Sequence, residues 1–361
     1  MKAAIISLGS VSSQWTAEAM KKYFSQVDLI NLKEIEVKLG KEGGIYYQGK
    51  ILDYYDCIFL KGSFRYAHLL RSIAALLEGK VPYMPIKENA YTIVHNKLLT
   101  HLVLQQHNIP MPKTYVSPSI IEAKSLLHRV NYPIVMKFPE GTQGKGVMFA
   151  DSQSSASSLL DALEALRQPF IIQEYVDTEG ADIRALVVGE KVVAAMKRQA
   201  QKGENRANIH AGGKGEATQL SLETQKIALK TAKALGTEVC GIDILETALG
   251  PLVIEANISP GLQGLQSIST LNLADQIAQY FFRRTEECLH KDKKIVAEEV
   301  MKDINLDFAA DQEIISALAF RGERILLPEF VTKATKFNDK GEYVIKVKKG
   351  KVEIRELGLY F

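Results

Sequence analysis

The chain has 361 residues, 46% hydrophobic and 24% charged, with a formal net charge of +3, which allows two or three domains around a sizeable core. So small a charge gives no reason to expect nucleic acid or a membrane surface as partner, and no run of about 18 apolar residues could span a bilayer. The three cysteines, Cys57, Cys240 and Cys288, and the seven histidines are scattered without metal-ligand spacing, which argues against a zinc site and fits a reducing cytoplasm.

KAAIISL is a short apolar run that ends at Gly9, Ser10 and Ser12, with a helical pattern from Thr16 to Phe24 behind it. YDCIFLKG repeats the run-then-glycine pattern and leads into a helix from His68 to Leu77. Strand, turn, helix and strand in that order predict an open α/β unit, read here as a Rossmann-like domain over residues 1–86. Pro82 and Pro85 mark a boundary. Asn96 then caps a helix from Lys97 to about His107, whose leucines and valine follow helical spacing. KTYV, a helix from Ile120 to His128, the strand PIVMKF and a helix from Ser154 to Leu166 follow. This mixture predicts an α+β lid over about 97–170.

FIIQEYV opens a second α+β subdomain over about 171–283, and DIRALVVGEKVVAAMKR forms a hairpin around Gly189-Glu190. Residues 199–215 are polar and glycine-rich and read as a loop. A helix from Leu222 to Leu235 leads into VCGIDILETALGPLVIEAN, another hairpin, and Leu273 to Phe282 form a last helix. The remainder, residues 284–361, begins with a charged helical stretch and ends in a hairpin, EYVIKVKKGKVEIREL, whose arms flank Lys348-Lys349-Gly350. Its lysines could dock an acidic tail or RNA, but acidic residues offset them, and an ordinary soluble appendage is the plainer reading.

Two stretches carry chemistry. KFPEGTQGKGVM packs Gly141, Gly144 and Gly146 between lysines, a composition suited to phosphate. It fits neither a P-loop, because Val147 follows Gly146, nor a dinucleotide fingerprint, because no third glycine opens a helix. A plain hairpin turn is the alternative. In LVIEAN, Glu255 and Asn257 are two apart and share a strand face, and folding at ETALG brings Asp243 opposite Glu255. An oxygen-only cluster of this kind suits magnesium or manganese; the alternative is an exposed acidic face. With Lys137 on the strand before the glycine loop, these features predict a site for a nucleoside triphosphate.

The stretches KFPEGTQGKGV, QEYV, DIRALVVGEKVVAAMKR, NRANIHAGG, GIDIL and IEANISPGLQG, in that order from about Asn96 to Phe282, resemble the RimK-like glutamate ligases of the ATP-grasp superfamily. The resemblance implies a mixed α/β and α+β architecture: an ATP-grasp domain over 87–283, the Rossmann-like domain before it, and a C-terminal extension over 284–361. It makes Gly141, Thr142, Gln143, Gly144 and Gly146 a lid loop over ATP, with Lys97 and Lys137 on the phosphates. It puts Glu174, Tyr175 and Val176 at the hinge that reads adenine, and makes Asp182 a nucleotide contact. Arg206 and Asn208 match two members of the family's Arg-Ser-Asn triplet, in which Ala207 replaces serine. Asp243, Glu255 and Asn257 match the ligands of Mg²⁺ or Mn²⁺, with two ions expected.

The implied reaction transfers the γ-phosphoryl group of ATP to a carboxylate, after which an amine displaces phosphate from the acyl phosphate. Arg198, with Lys137, is the catalytic candidate, holding the transferred phosphoryl or the acyl phosphate. Arg184 is a candidate for a substrate carboxylate. For either arginine a surface ion pair is the alternative. His210 is a loop-ordering residue or a substrate contact, with a general base as the alternative, and Ser259 and Gly261 in SPGLQG form either a carboxylate nest or a structural turn. The implied substrates are ATP, L-glutamate and a carboxylate acceptor, such as a protein C-terminus, and the family implies a homo-oligomer. The competing readings are an amino-acid-carrier or coenzyme glutamate ligase, and a nucleotide-binding regulator without turnover.

Overall fold

The structure, a computed structural model, describes residues 1–41, 43–141, 146–200, 214–303, 319–322, 324–328, 331, 335–338 and 341–357. It forms two compact units, Met1–Lys291 and Asp292–Phe361.

The first unit opens with β1 (Lys2–Ser7), α1 (Val11–Met20), β2 (Gln26–Asn31), β3 (Ile35–Lys38), β4 (Gly44–Tyr47), β5 (Lys50–Ile51), β6 (Cys57–Leu60) and α2 (Ala67–Leu77). β2, β1 and β6 lie side by side in that order as a parallel sheet. The middle strand reads as an unbroken apolar run because helices cover both faces of such a sheet, and Ala3, Ala4, Ile5 and Ile6 are fully buried. β3, β4 and β5 form a small antiparallel sheet that the sequence reading did not foresee. The first helix also begins earlier than expected. Ser10, immediately after the strand turn, accepts from the Ser13 amide and caps it, so the helix runs from Val11 rather than from Thr16.

The predicted boundary after Pro85 is not a bare linker, since α3 (Ala90–His95) buries Ala90, Tyr91 and Val94 there. α4 (Lys97–Gln106) starts where expected, with the Asn96 side chain accepting from the amides of Leu98 and Leu99. β7 (Thr114–Tyr115), α5 (Ile120–Leu126), β8 (Ile134–Lys137), β9 (Val147–Ala150), α6 (Gln153–Ala165) and β10 (Ile171–Glu174) follow. Their strands form an antiparallel sheet in the order β7-β10-β8-β9. Here α5 and α6 close a separate core around Ala123, Leu127, Met136, Leu160 and Ile172.

The third layer comprises β11 (Ala181–Val188), β12 (Lys191–Gln199), β13 (Lys214–Ala217), α7 (Leu222–Ala234), β14 (Val239–Thr247), β15 (Gly250–Asn257), α8 (Gln263–Gln266) and α9 (Leu273–Asp303). The antiparallel sheet β13-β12-β11-β14-β15 has α7 packed on it. Its core is continuous with that of the N-terminal sheet: one buried cluster runs from Ala3 to Ile109 and from Ile183 to Phe281. Both predicted hairpins are present, Val188 pairing with Lys191 and Thr247 with Gly250. α9 outruns the predicted Phe282 by several turns, because nothing from Arg283 to Asp303 is a Pro or Gly that would stop a helix.

In the second unit, β16 (Ala319–Arg321) pairs with β17 (Arg324–Leu326), and β18 (Tyr343–Lys348) with β19 (Lys351–Glu356). The expected terminal hairpin is there, but its turn is Lys349-Gly350 alone, with Lys348 paired to Lys351.

Candidate functional site

Strand register assembles a row of charges across the five-stranded sheet. Arg198 on β12 lies opposite Asp182 on β11, Arg184 on β11 opposite Asp243 on β14, and Asp243 opposite Glu255 on β15. Asp182 and Arg184, like Glu255 and Asn257, are two residues apart and share a face. A bulge after Asp243 shifts the β14–β15 pairing at this point, the kind of irregularity that re-aims a side chain.

The arginines occupy these carboxylates. Arg184 donates from Nε and Nη2 to the two oxygens of Asp243 at 2.7 and 2.6 Å. Arg198 grips Asp182 in the same way, at 2.6 and 2.7 Å, and its Nη2 also lies 3.0 Å from Asp243 Oδ2. Neither is a surface ion pair: Arg198 is 6% exposed and Asp243 4%. Burial opposes the charge of Asp243, yet Arg184 and Arg198 outweigh it and hold the carboxyl down at about 2. The Asp243 carboxylate is therefore ionised and balanced by guanidinium groups. Asp243, Glu255 and Asn257 form an all-oxygen donor set, which fits magnesium; Asn257 Oδ1 also accepts from the Ser259 amide at 2.9 Å.

The lid side supplies cations. Lys137 Nζ donates to Gln173 Oε1 at 2.6 Å, and Lys97 Nζ to the Gly141 carbonyl at 3.0 Å. Burial pushes the Lys137 ammonium down to about 8. Gln173 in turn donates from Nε2 to Thr114 Oγ1 and to His101 Nε2, while His101 Nδ1 donates to the Lys97 carbonyl at 2.6 Å. This chain links Lys97 to Lys137, and burial keeps its histidine neutral by lowering it to about 4.

At the hinge, the Glu174 side chain is taken up by Tyr115 and Asn131. The amides of Glu174 and Tyr175 already donate to the Lys113 and Pro133 carbonyls. Those two donors are thus used within the protein. Phe149 and Tyr175 meet edge to face at 5.7 Å.

One cleft of about 700 Å³ collects these groups, a volume in the range of small-molecule sites. Lys97, Lys137, Gly141, Glu174, Tyr175, Val176, Asp182, Arg184, Arg198, Asp243, Glu255, Asn257, Ser259 and Gly261 all line it. Gly146 does not line it. Its φ is +79°, and a Cβ there would come within 2.3 Å of the Phe138 ring. Thr142, Gln143, Gly144, Arg206, Asn208 and His210 lie outside the described residues. Ser259 and Gly261 sit in a loop stitched to the N-terminal sheet, with Gly62 N donating to Ser259 Oγ at 3.1 Å and Leu262 N to Ser12 Oγ at 2.8 Å.

Sequence reasoning missed several members of the site. Phe149, Met196, Leu245 and Ile254 give the cleft apolar walls, and their signal was only strand alternation. Gln173 could have been found from QEYV, since it precedes the predicted hinge. His101 and Lys61 carry no local signal.

A cleft of this size between two antiparallel sheets, lined by Lys97 and Lys137 and by Asp243, Glu255 and Asn257, matches the layout of an ATP-grasp ligase. A family profile described as the RimK-like ATP-grasp domain matches residues 94–281. A probable alpha-L-glutamate ligase of Cellvibrio japonicus is 34% identical over 285 residues, 78% of this chain and 95% of that one. Among solved structures, an ATP-grasp RimK domain protein of Sphaerobacter thermophilus superposes with a TM-score of 0.60 at 16% identity, covering 78% of this chain and 99% of that one. The ATP-grasp ligase PsnB, solved with minimal precursor, Mg and ADP, gives 0.61 at 16% identity, covering 79% and 98%. The chain belongs to the RimK-like ATP-grasp family and is an ATP-dependent ligase that forms carbon–nitrogen bonds. No helix among the described residues is long and apolar enough to cross a membrane.

Proposed function

We propose that the protein is a cytoplasmic α-L-glutamate ligase that joins the amine of L-glutamate to the carboxylate of an acceptor, such as a protein C-terminus. The observation that carries this reading is a cleft lined both by Lys97 and Lys137 and by Asp243, Glu255 and Asn257. The relatives named as probable alpha-L-glutamate ligases support the choice of amino acid.

In this reading Lys97 and Lys137 hold the phosphates, and the apolar walls at Phe149, Leu245 and Ile254 hold the base. Asp243, Glu255 and Asn257 would hold magnesium or manganese, two ions being expected, which neutralise phosphate charge during transfer. Arg198, paired here with Asp182 and Asp243, would steady the γ-phosphoryl group as its bond to ADP breaks and its bond to the acceptor carboxylate forms, and Arg184 would receive a substrate carboxylate. The amine then attacks the acyl phosphate carbon, the carbon–oxygen bond to phosphate breaks, and the amine proton leaves to solvent or base. Domains over 1–86, 87–283 and 284–361 remain our proposed division.

Mass spectrometry tests this reading: purified protein is incubated with magnesium, ATP and each amino acid, with and without cell extract, while ADP release is followed. Products spaced by one glutamate residue are expected. Tight ATP binding without ADP or product would favour a regulator instead, and products on a carrier protein or a coenzyme would move the acceptor to those classes.

A further inference from the structure

Among the described residues that line the cleft, Lys61 is the Lys or Arg side chain the mechanism leaves unused. It follows β6, where its amide donates to the Ile6 carbonyl at 2.8 Å and so extends the parallel ladder to the C-terminal edge of the N-terminal sheet. The side chain lines the cleft and the residue is only 5% exposed. It has no hydrogen-bond or ion-pair partner among the described residues; its ammonium merely lies 5.5 Å from the Phe59 ring centre. A cation with no partner in so buried a residue is costly, and burial lowers this one to about 8, leaving it mostly charged at neutral pH.

The surroundings complete an anion site. The crevice beyond the carboxyl ends of parallel strands is where open α/β sheets bind ligands. Ser7, Ser10 and Ser13 line this corner of the cleft with Lys61, Gly62 and Ser63. Ser10 caps the ten-residue helix α1, whose N-terminal dipole favours negative charge. The Gly62–Ser259 bond ties the corner to the strand end two residues beyond Asn257, so an anion held here would adjoin the reacting centre. Phosphates already have Lys97 and Lys137 on the lid side.

We propose that Lys61 and the N-terminus of α1 form the subsite for a non-reacting carboxylate of the incoming amino acid. This deepens the ligase reading and rests on it. The subsite would select amino acids over simple amines, and it would keep the amine pointed at the acyl phosphate while its own carboxylate stays out of reaction.

The test is calorimetric titration of L-glutamate into protein saturated with Mg·ADP, for wild type, Lys61→Met and Lys61→Arg. Loss of one charge-assisted pair should weaken glutamate binding by about 30-fold in Lys61→Met. Lys61→Arg should largely restore it, and ADP binding, which reports intact folding, should change by less than about twofold in both. Glutamate binding to Lys61→Met with wild-type affinity would overturn the proposal, as would binding of no amino acid by the wild type. Selective binding of another amino acid would sink the glutamate reading alone, since every amino acid has an α-carboxylate; the Lys61 comparison is then made with that one. An equal loss for glutamine and glutamate in Lys61→Met would support the α-carboxylate as the group held. If only the carboxylate of an acceptor peptide loses affinity, the proposal is overturned in favour of an acceptor subsite.

Discussion

Arg184 on β11 and Asp243 on β14 face each other across the sheet, and the guanidinium holds both carboxylate oxygens at 2.7 and 2.6 Å. A proposed metal ligand is thereby also the counter-charge of the buried Arg198 and the half-buried Arg184. Asp243→Asn should lower stability by roughly 3–5 kcal/mol, because it leaves Arg184 and Arg198 without that charge. Glu255 has no ion pair among the described residues, so Glu255→Gln should stay within about 0.5 kcal/mol of wild type. Urea midpoints separate the two, and both variants should lose ADP release. Normal turnover by Glu255→Gln would remove that residue from the metal site.

Gln173 joins Lys137, Thr114 and His101 through its one amide. Gln173→Leu frees the Lys137 ammonium to wander and leaves the buried His101 Nε2 without its partner, while Thr114 keeps its bond to the Pro112 carbonyl. Each unsatisfied group costs about 1–3 kcal/mol, so we expect a lower melting temperature together with a KM for ATP raised about tenfold, a change of ~1.4 kcal/mol. Unchanged KM in steady-state kinetics would show that Lys137 does not depend on this chain.

His101 gives the protein an acid-sensitive element. Burial holds it at about 4 in the folded chain, against about 6.5 when unfolded. Between those values the unfolded chain takes the proton and the folded chain does not, so stability falls as pH drops through that window. At pH 5 the loss relative to pH 7 should be roughly 2 kcal/mol from this residue. His101→Gln should flatten the drop by that amount, measured as the difference in urea midpoints at the two pH values; an equal drop in both proteins would refute it.

Gly146 has φ of +79° and lies against the Phe138 ring. Gly146→Ala must therefore strain the backbone or push the ring away, at about 1–3 kcal/mol. The cost should be local. Hydrogen exchange should quicken in β8 and β9 while the five-stranded sheet stays protected, and kcat/KM for ATP should fall. Uniform exchange across the chain would show that the lid and the main core open together.

Much of the site was legible because its logic is local. Strand alternation put Glu255 and Asn257 on one face, and a tight turn at ETALG set Asp243 opposite Glu255, which the register repeats. Asn96 was readable as a cap for the same reason, since a cap acts over three residues. The β3–β5 sheet was not legible, because its short half-buried strands lack a sustained period. α9 was cut short because its apolar spacing fades after Phe282 while its helix-forming composition continues.

The amino-acid sequence by itself determined the order of most strands and helices, though not β3–β5 or α3, together with the two hairpins and the family, each written in spacing along the chain. The partners of the charges were decided only by the tertiary structure. Arg198 is 45 residues from Asp243, and Gly62 is 197 from Ser259; no local rule joins them. Lys61 became conspicuous for the same reason, because burial without a partner is a property of packing, and packing depends on residues far apart in the chain.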